Sequence, residues 1–296
     1  MAAWSVLVWN MALGYHADRA KRNWAALGEL MDRRHVDVTL LNEVSTWLLA
    51  ERRAATAPSD PDPVVFSEAG TSGRDRNKNG EFKDRSGWTA AVFSPKGATP
   101  IAAARAVATV GRRSPIMDFG PSRAGSWVAA SVPYSKLAGG RSTKHVTCVS
   151  LYGLIEEITD ASMHTSLSEI SPLFSDPRHK ELVLVGGDFN ISTAWSDHES
   201  RMRCAGVLER LESYGLVDCL RLVRKPGRLK GCTCVFGSRC EHTWTRRDPG
   251  RPRIPYQMDY LFASQALARR LVSCEALNPE DWRSFSDHAP IVATFD

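Results

Sequence analysis

A recurrent feature of this sequence is a polar side chain placed where an apolar, strand-like segment ends. Carboxylates directly after buried strands are costly unless they are ion-paired, hydrogen-bonded or bound to a metal ion. The ends of strands are also where sheet proteins gather their catalytic groups. The residues at such positions are therefore the candidates for a functional site, and they are Asn10, Glu43, Asp188, Asn190, Asp259, Asp287 and His288.

The sequence around these residues predicts an alternation of strands and helices. Short apolar, β-rich runs predict strands at residues 5–13, 36–44, 87–94, 98–109, 125–133, 144–154, 181–190, near 242–245, 256–264 and 289–295. Helices are predicted at residues 16–34, 46–53, 160–174 and 202–213. In the first helix, Ala20, Trp24, Leu27 and Met31 have the spacing of a buried face. Because no linker or internal repeat divides the chain, we expect one α/β sandwich over residues 1–296.

Length, composition and charge are those of an ordinary globular protein. The 296 residues are 43% apolar and 24% charged, with a net charge of +5, which excludes collagen-like, low-complexity and wholly disordered classes. The sequence lacks a run of about 18 apolar residues and the basic start of a secretory signal. The seven cysteines, an odd number without regular spacing, argue against a disulfide framework. We expect a cytoplasmic monomer that does not bind membranes.

Five short motifs resemble, in content and order, those of the endonuclease/exonuclease/phosphatase superfamily, whose members have the DNase I-like fold. The motifs GGDFN and SDHAPI are specific, whereas WN, NEV and MDYLFAS are individually weak but correctly placed. The resemblance implies a four-layer α/β/β/α sandwich, in which two mostly antiparallel sheets pack face to face with helices outside. The motifs should converge at one rim of this domain, which also carries a polar loop at 68–86 and a basic loop at 221–255.

The resemblance implies a metal-binding role for three of the candidates. Glu43 matches the main Mg²⁺ carboxylate, and Asn10 and Asp287 match positions near it. One or two carboxylates with water and substrate phosphate are what a Mg²⁺ site requires, and Mn²⁺ is the expected substitute. Such an ion neutralises phosphate charge and stabilises the leaving oxygen. The sequence leaves open whether one or two ions take part.

The remaining candidates match residues that handle water and phosphate. Asp188 matches the residue that positions or deprotonates the attacking water, and Asn190 matches a neutral donor to the phosphate. His288 matches the active-site histidine, and Asp259 matches the carboxylate paired with it, which would keep the imidazole oriented and readily charged. Such a histidine can hold or protonate a phosphoryl oxygen. The sequence leaves open which of Asp188 and His288 is the base.

One position departs from many members of the family. Where relatives such as DNase I carry a histidine late in the strand at 144–154, this sequence has Tyr152. A tyrosine there resembles the AP-endonuclease branch, but GL and LNEV replace that branch's PN and LQET, so assignment to it is not supported. Tyr152 is either a catalytic hydroxyl near the phosphate or a residue of strand packing.

The basic loop precedes the MDYLFAS strand and suggests the substrate. Its residues 221–253 contain ten Lys and Arg residues against two acidic residues. The family resemblance places this segment beside the active site, so Trp244, Arg246 and Arg247 are the expected substrate-binding residues. Arginines neutralise phosphates and an indole stacks on a base, which favours nucleic acid. The alternative is a solvated basic loop with Trp244 packed inside.

Two further patterns suit metal ions of other kinds. Four soft ligands follow the pattern C-x-C-x5-C-x-H and are compatible with a structural Zn²⁺ ion, and they are Cys232, Cys234, Cys240 and His242. Free cysteines of a reduced protein are the alternative. Residues 75–86 of the polar loop partly match an EF-hand, but Ser86 stands where the bidentate Glu is required, so an exposed turn is favoured over a calcium site.

The leading interpretation is a Mg²⁺-dependent phosphodiester hydrolase, an endonuclease that cleaves DNA or RNA by attack of water on phosphorus. The second interpretation is a phosphatase or phosphodiesterase for small-molecule or lipid phosphoesters. The third is a non-catalytic relative that binds nucleic acid. The intact acid–base set opposes this third interpretation, since binding alone does not need those residues.

Overall fold

Two β-sheets form the frame that carries the polar strand ends. The computed structural model describes residues 2–12, 17–45, 48–49, 64–66, 89–102, 121–123, 125–155, 159–225, 227, 229–248, 250 and 254–296. The polar loop with its EF-hand-like residues lies outside the described residues, as do the end of the strand predicted at 98–109 and most of the helix predicted at 46–53.

The strands are short and mostly apolar. In chain order they are β1 (Trp4–Asn10), β2 (Val36–Val44), β3 (Val64–Phe66), β4 (Thr89–Phe93), β5 (Thr99–Ala102), β6 (Trp127–Pro133), β7 (His145–Leu151), β8 (Val183–Asp188), β9 (Leu216–Asp218), β10 (Arg246–Arg247), β11 (Pro255–Tyr256), β12 (Asp259–Ser264), β13 (Leu271–Ala276) and β14 (Ile291–Phe295). The bounds of β2 are those predicted from the sequence.

Three longer helices and several short ones connect the strands of the described residues. They are α1 (Ala17–Arg34), α2 (Tyr134–Ala138), α3 (Thr159–Ser175), α4 (His198–Ser213), α5 (Cys219–Val223), α6 (Gln265–Ala268) and α7 (Pro279–Trp282). Within the part of the chain that the structure describes, none of these helices has the length and apolar character needed to cross a bilayer.

Each large sheet has one parallel pair of strands at its middle. The first sheet has the order β13-β14-β1-β2-β4-β3, and the second has the order β5-β6-β7-β8-β12-β9. The parallel pairs are β1 with β2 and β7 with β8, and the other neighbours are antiparallel. Strands β10 and β11 form a separate ribbon. This arrangement confirms the predicted pair of mostly antiparallel sheets.

The two sheets pack face to face through a shared apolar cluster. Because side chains alternate along a strand, Val6 and Val8 of β1 point between the sheets, whereas Leu7 and Trp9 point outwards. Residues of the second sheet that fill the same space include Val128, Ala130, Cys148, Leu184 and Leu261. The sheets are therefore joined by an apolar core.

Helices cover both outer faces. The residues predicted as the buried face of α1 are buried against the first sheet, together with Leu7 and Trp9. Helices α3 and α4 cover the second sheet with Met163, Leu167, Val207 and Leu211. The order helix, sheet, sheet, helix confirms the predicted four-layer α/β/β/α sandwich.

The structure differs from the predicted elements at several places, including the short strands β3 and β9, which have no predicted counterpart. Helix α4 begins four residues earlier than predicted because Asp197 caps it, accepting from the backbone N–H of Ser200 at 2.7 Å. No strand forms at 242–245, where Thr243 instead donates its backbone N–H to Gln257 Oε1 at 2.8 Å. Strand β13 has no counterpart among the predicted strands, since Cys274 is its one buried residue and the apolar pattern is weak.

Gly187 marks a close approach between β8 and the end of β7. It has a φ of +148°, and a Cβ there would lie 2.0 Å from the carbonyl oxygen of Leu151. We therefore expect Gly187→Ala to lower the free energy of unfolding by about 3 kcal/mol or more, because backbone must shift. Urea denaturation measures this change. Gly206→Ala in α4 is the matched control, since a Cβ there meets nothing within 4 Å and should be neutral or stabilising by about 1 kcal/mol. An unchanged midpoint for Gly187→Ala would contradict the prediction.

Candidate active site

The polar strand ends meet at one rim of the sandwich. Asn10 ends β1 and is paired in parallel register with Asn42, which directly precedes Glu43 in β2. Asp188 ends β8 and is paired in antiparallel register with Asp259, the first residue of β12. The rim therefore gathers side chains from both sheets that are distant in sequence.

A buried histidine–carboxylate pair lies at this rim. His288 Nδ1 is 2.8 Å from Asp259 Oδ2, and the two side chains are 4% and 0% exposed. Burial lowers the pKa of the imidazole, but the charges of Asp259 and then Asp188 outweigh burial and raise that pKa to about 10. The histidine is thus a cation at neutral pH that donates Nδ1–H to Asp259. Its Nε2 lies 3.6 Å from Asp188 Oδ2 and 3.9 Å from Asp287 Oδ2, both beyond ordinary hydrogen-bond length.

Asp188 is fixed by hydrogen bonds from several directions. Its backbone N–H donates to Asn42 Oδ1 at 2.7 Å, and its Oδ1 accepts from the backbone N–H of Asn190 at 2.9 Å. Its Oδ2 accepts from Asn10 Nδ2 at 2.8 Å. Burial raises the pKa of Asp188 to about 7, although the charge of His288 acts to lower it. A carboxyl group with a pKa near neutrality is suited to accepting a proton from water.

Asn10 connects two of the carboxylates at the rim, those of Glu43 and Asp188. Its Nδ2 donates to Glu43 Oε1 at 3.0 Å as well as to Asp188, and its Oδ1 accepts from the backbone N–H of Ala12 at 2.9 Å. Ser286 Oγ donates to the backbone carbonyl of Asn10 at 2.8 Å. Since the Ala12 N–H requires the amide oxygen, the amide nitrogen faces the carboxylates. Asn10 therefore acts on both of them as a donor.

Glu43 presents a half-buried carboxylate with one oxygen held by two donors. Its Oε1 accepts from Asn10 Nδ2 and from Tyr152 Oη, each at 3.0 Å. Its φ is 51°, a left-handed value that non-glycine residues adopt rarely and often at functional sites. Tyr152 is buried, and burial followed by the charge of Glu43 raises its pKa well above the ordinary value. The phenol therefore stays protonated and can donate to Glu43.

Asn190 lies just beyond β8 in a similar backbone conformation. Its φ is also 51°, and its Nδ2 donates to the carbonyl of Gly153 at 2.8 Å. The backbone N–H of Asn190 donates to Asp188 Oδ1. The half-buried side chain of Asn190 is therefore held beside Asp188, the other candidate residue of the GGDFN motif.

Asp287 borders the site and is paired with an arginine. Arg246 Nε lies 3.2 Å from Asp287 Oδ2, and Arg246 forms a backbone bridge to His288. Burial acts to raise the pKa of Asp287, but the charges of His288 and Arg246 lower it overall. Arg247 pairs instead with Glu280, with Nε 3.2 Å from Oε1. Of the two predicted substrate-binding arginines, Arg246 borders the site and Arg247 is directed to a neighbouring helix.

Internal contacts engage part of the basic loop. Arg221 pairs with Glu212 and Glu241, and Arg224 donates to two backbone carbonyls of the same loop. Trp244 is half-buried, and its Nε1 donates to the backbone carbonyl of Arg246 at 2.9 Å. The exposed basic residues that the structure describes in this loop include Lys225, Lys230 and Arg239.

Two residues outside the predicted set support the site. Asn42 reaches from the first sheet to the second, because its Nδ2 donates to Ser150 Oγ at 3.2 Å while its Oδ1 accepts from Asp188. Thr245 Oγ1 accepts from the backbone N–H of Asp259 at 3.1 Å. An amide within the apolar run of β2 is a signal that could have identified Asn42. Thr245 follows a tryptophan in a loop and offers no such signal.

Two groups of side chains in the described residues could hold a metal ion. The ligand atoms of Asp188, Asp259 and His288 lie within 4.8 Å of one another, but the positive charge of the histidine already explains this proximity. Glu43 fits a Mg²⁺ ion better, because its carboxylate is half-exposed and oriented by two donors. The second group is the buried cluster of Cys232, Cys234, Cys240 and His242.

Comparison with solved structures identifies the fold. An AP endonuclease from Leishmania major superimposes with a TM-score of 0.60 at 15% identity, covering 99% of this chain and 87% of that chain. A 3′ phosphatase from Neisseria bound to a product DNA hairpin gives 0.59 at 17% identity and 99% coverage of both chains. An endonuclease/exonuclease/phosphatase family protein from Leptotrichia buccalis gives 0.57 at 13% identity, again with 99% coverage of both.

The same comparisons set the limit of the sequence similarity. No protein-family model matches the chain, and no curated protein aligns with it significantly. The structural similarity nevertheless extends over nearly the whole chain. The chain therefore has the DNase I-like fold of the endonuclease/exonuclease/phosphatase proteins, as its motifs predicted.

Proposed function

We propose that this protein is a divalent-metal-dependent phosphodiesterase that hydrolyses nucleic acid. The observation that carries this proposal is the connected set of side chains at the rim, running from Asp259 through His288, Asp188 and Asn10 to Glu43. An acid–base group beside a carboxylate suited to a metal ion is what the attack of water on phosphorus requires. The structural similarity to an AP endonuclease and a 3′ phosphatase supports the same chemistry.

We assign the role of base to Asp188 and that of charged hydrogen-bond donor to His288. The carboxyl group of Asp188 orients the attacking water and accepts its proton as the water oxygen bonds to phosphorus. Because Asp259 occupies Nδ1 of the cationic His288, Nε2–H remains for a non-bridging phosphoryl oxygen. Asn190 is the proposed neutral donor to the same phosphate. The ester oxygen departs as the new bond forms and takes a proton from solvent.

Mg²⁺ is the proposed cofactor, with Mn²⁺ as its substitute. Glu43 is the main ligand, and Asn10 and Tyr152 orient its carboxylate. Asp287 is the second carboxylate that we propose for the ion. When bound, the metal supplies positive charge that offsets the charge of the phosphate.

Nucleic acid is the proposed substrate because positive charge and an aromatic ring border the rim. Arg246 is bridged to His288, and Trp244 is half-buried beside it. The exposed cations of the basic loop extend this surface for further phosphates. We favour DNA over RNA, since one of the similar structures holds a DNA product.

Cleavage of fluorescent single- and double-stranded DNA and RNA in Mg²⁺, with EDTA as control, tests this function. Cleavage that EDTA abolishes supports the proposal and identifies the preferred strand. If the polynucleotides stay intact but small phosphoesters are hydrolysed, the substrate is a small phosphoester and not nucleic acid. Binding of nucleic acid without any turnover would overturn the enzymatic proposal.

Tyr152→Phe distinguishes a catalytic hydroxyl from strand packing. The substitution removes the hydrogen bond to Glu43, and a hydrogen bond to a charged group contributes about 1.5 kcal/mol, so kcat should fall by about tenfold at fixed Mg²⁺. The Mg²⁺ concentration needed for half-maximal activity should rise as well. Tyr134→Phe is the matched control, since Tyr134 Oη accepts from Arg270 and lies outside the site. Equal kcat values for the two variants would favour a packing role.

The state of the cysteines supports a location in the reducing cytoplasm. All seven are buried and none forms a disulfide, and cysteines stay reduced in a reducing compartment. We therefore propose a cytoplasmic enzyme.

A further inference from the structure

A second chemical cluster lies within the basic loop and shares no residue with the proposed active site. The side chains of Cys232, Cys234, Cys240 and His242 are all buried, between 0% and 5% exposed. Their three Sγ atoms and one imidazole nitrogen lie within 4.8 Å of one another. Three cysteines and one histidine are one of the ligand sets of structural zinc sites.

The distances within the cluster fit a tetrahedral zinc site. His242 Nδ1 lies 3.5 Å from Cys232 Sγ and 3.5 Å from Cys240 Sγ. Zinc bond lengths of about 2.3 Å to sulfur and 2.0–2.1 Å to nitrogen give a sulfur–nitrogen edge of about 3.6 Å in a tetrahedron. Both measured distances therefore match the edge that a central ion would impose.

The surroundings are those of a closed, structural site. His242 Nε2 lies 2.7 Å from Thr193 Oγ1, and such an outer partner fixes a metal-binding imidazole in one orientation. Buried Ala194 and partly buried Leu229 pack against the cysteines. Four protein ligands with apolar neighbours leave no open position for water or substrate, which separates this site from a catalytic zinc.

We propose that Cys232, Cys234, Cys240 and His242 bind one structural Zn²⁺ ion that fixes the basic loop against the second sheet. Between α5 and β11, the described residues of the loop have little regular structure of their own, a single 3₁₀ turn at Gly237–Arg239 and the two-residue strand β10. The ion joins four ligands within eleven residues of the chain, from Cys232 to His242, and so restricts the loop in the folded protein.

The site also fixes residues that border the active site. Thr243 directly follows the ligand His242 and donates its backbone N–H to Gln257. Thr245 then accepts from the backbone N–H of Asp259, the carboxylate partner of His288. The zinc ligands thus lie three residues from a contact to the catalytic centre, and loss of the ion is expected to loosen Thr245 and Arg246.

Metal analysis of the purified full chain tests the proposal. We expect one tightly bound zinc per chain for the wild type after passage over a chelating resin, and loss of that zinc in Cys234→Ala. Cys274→Ala is the matched control, because Cys274 is also buried but lies in β13 of the first sheet, and it should retain the zinc. Replacement of zinc by Co²⁺ should give thiolate-to-cobalt absorption, which distinguishes this site from binding at the active-site carboxylates.

Trypsin cleavage provides a readout that does not depend on activity. The basic loop contains many trypsin cleavage sites. We expect trypsin to cut Cys234→Ala there about tenfold faster than Cys274→Ala, because a loop without its zinc ion unfolds locally more often. Wild-type protein that carries no zinc and gives no thiolate-to-cobalt band would overturn the proposal, whatever the variants do. A mass lower by two hydrogens, indicating a disulfide within the cluster, would overturn it as well.

Discussion

Replacing Asp188 by asparagine should lower kcat by about a thousandfold and leave the protein folded. The amide cannot accept a proton from the attacking water, so the proposed base is lost. It can still accept from the backbone N–H of Asn190, the bond that now holds Asp188 Oδ1. The other side-chain atom becomes Nδ2, which cannot accept the bond that Asn10 Nδ2 donates to Asp188 Oδ2. The free energy of unfolding should therefore fall by about 1–3 kcal/mol, because this buried donor loses its partner.

The measurement is initial-rate cleavage of the preferred polynucleotide in Mg²⁺, paired with urea denaturation of each protein. Asp32→Asn is the matched control, since Asp32 is exposed in α1 and distant in the fold from the rim. It should retain wild-type kcat. A rate for Asp188→Asn within tenfold of wild type would remove Asp188 from the role of base and direct attention to His288.

His288→Gln should lower kcat by about a hundredfold and alter the pH dependence of the reaction. In the wild type, activity should rise as the pH passes about 7, where Asp188 loses its proton, and fall towards about 10, where His288 loses its own. Glutamine can still donate a hydrogen bond but carries no charge. The variant should therefore lose the alkaline limb of the profile and shift the acidic limb to higher pH, because the charge of His288 no longer lowers the pKa of Asp188.

His288→Gln should also change the pH dependence of stability, and the raised pKa of His288 determines the sign of that change. The pKa of His288 is raised from 6.5 to about 10 in the folded protein, so folding stabilises the protonated imidazole. This stability is fully present below pH 6.5 and is lost as the pH rises through about 10. Between pH 6.5 and about 10, the urea midpoint of the wild type should fall more steeply than that of His288→Gln. Equal dependence of the two midpoints on pH would contradict the raised pKa of His288.

The fold could be predicted from the sequence because its strong signals are local. Apolar runs such as 36–44 and 183–188 are interrupted by turn residues, and α1 shows a regular apolar face. The order of the motifs then fixed the family fold. The edge strand β13 and the very short strands β3 and β9 carry too few buried residues to produce such a pattern.

The site residues could be named, but their mutual contacts could not. That Asp259 is the hydrogen-bond partner of His288 was implied by the family resemblance, whereas the donor role of Asn10 depends on Ala12 N–H claiming its amide oxygen. The pairing of Arg247 with Glu280 could not be predicted from the sequence either, because it depends on the position of α7 in the fold. Spacing identifies residue types at strand ends, whereas partners are decided by tertiary packing.

The contacts of Asn42 have a consequence for how the molecule opens. Its side chain receives the backbone N–H of Asp188 and donates to Ser150, whose hydroxyl in turn donates to the carbonyl of Leu41. The two sheets are therefore hydrogen-bonded to each other directly behind the candidate catalytic carboxyl group. The backbone N–H of Asp188 should therefore be among the slowest in the protein to exchange its hydrogen with solvent, because breaking its hydrogen bond to Asn42 requires the two sheets to separate. The geometry behind the rim should therefore persist until the sandwich unfolds as a whole.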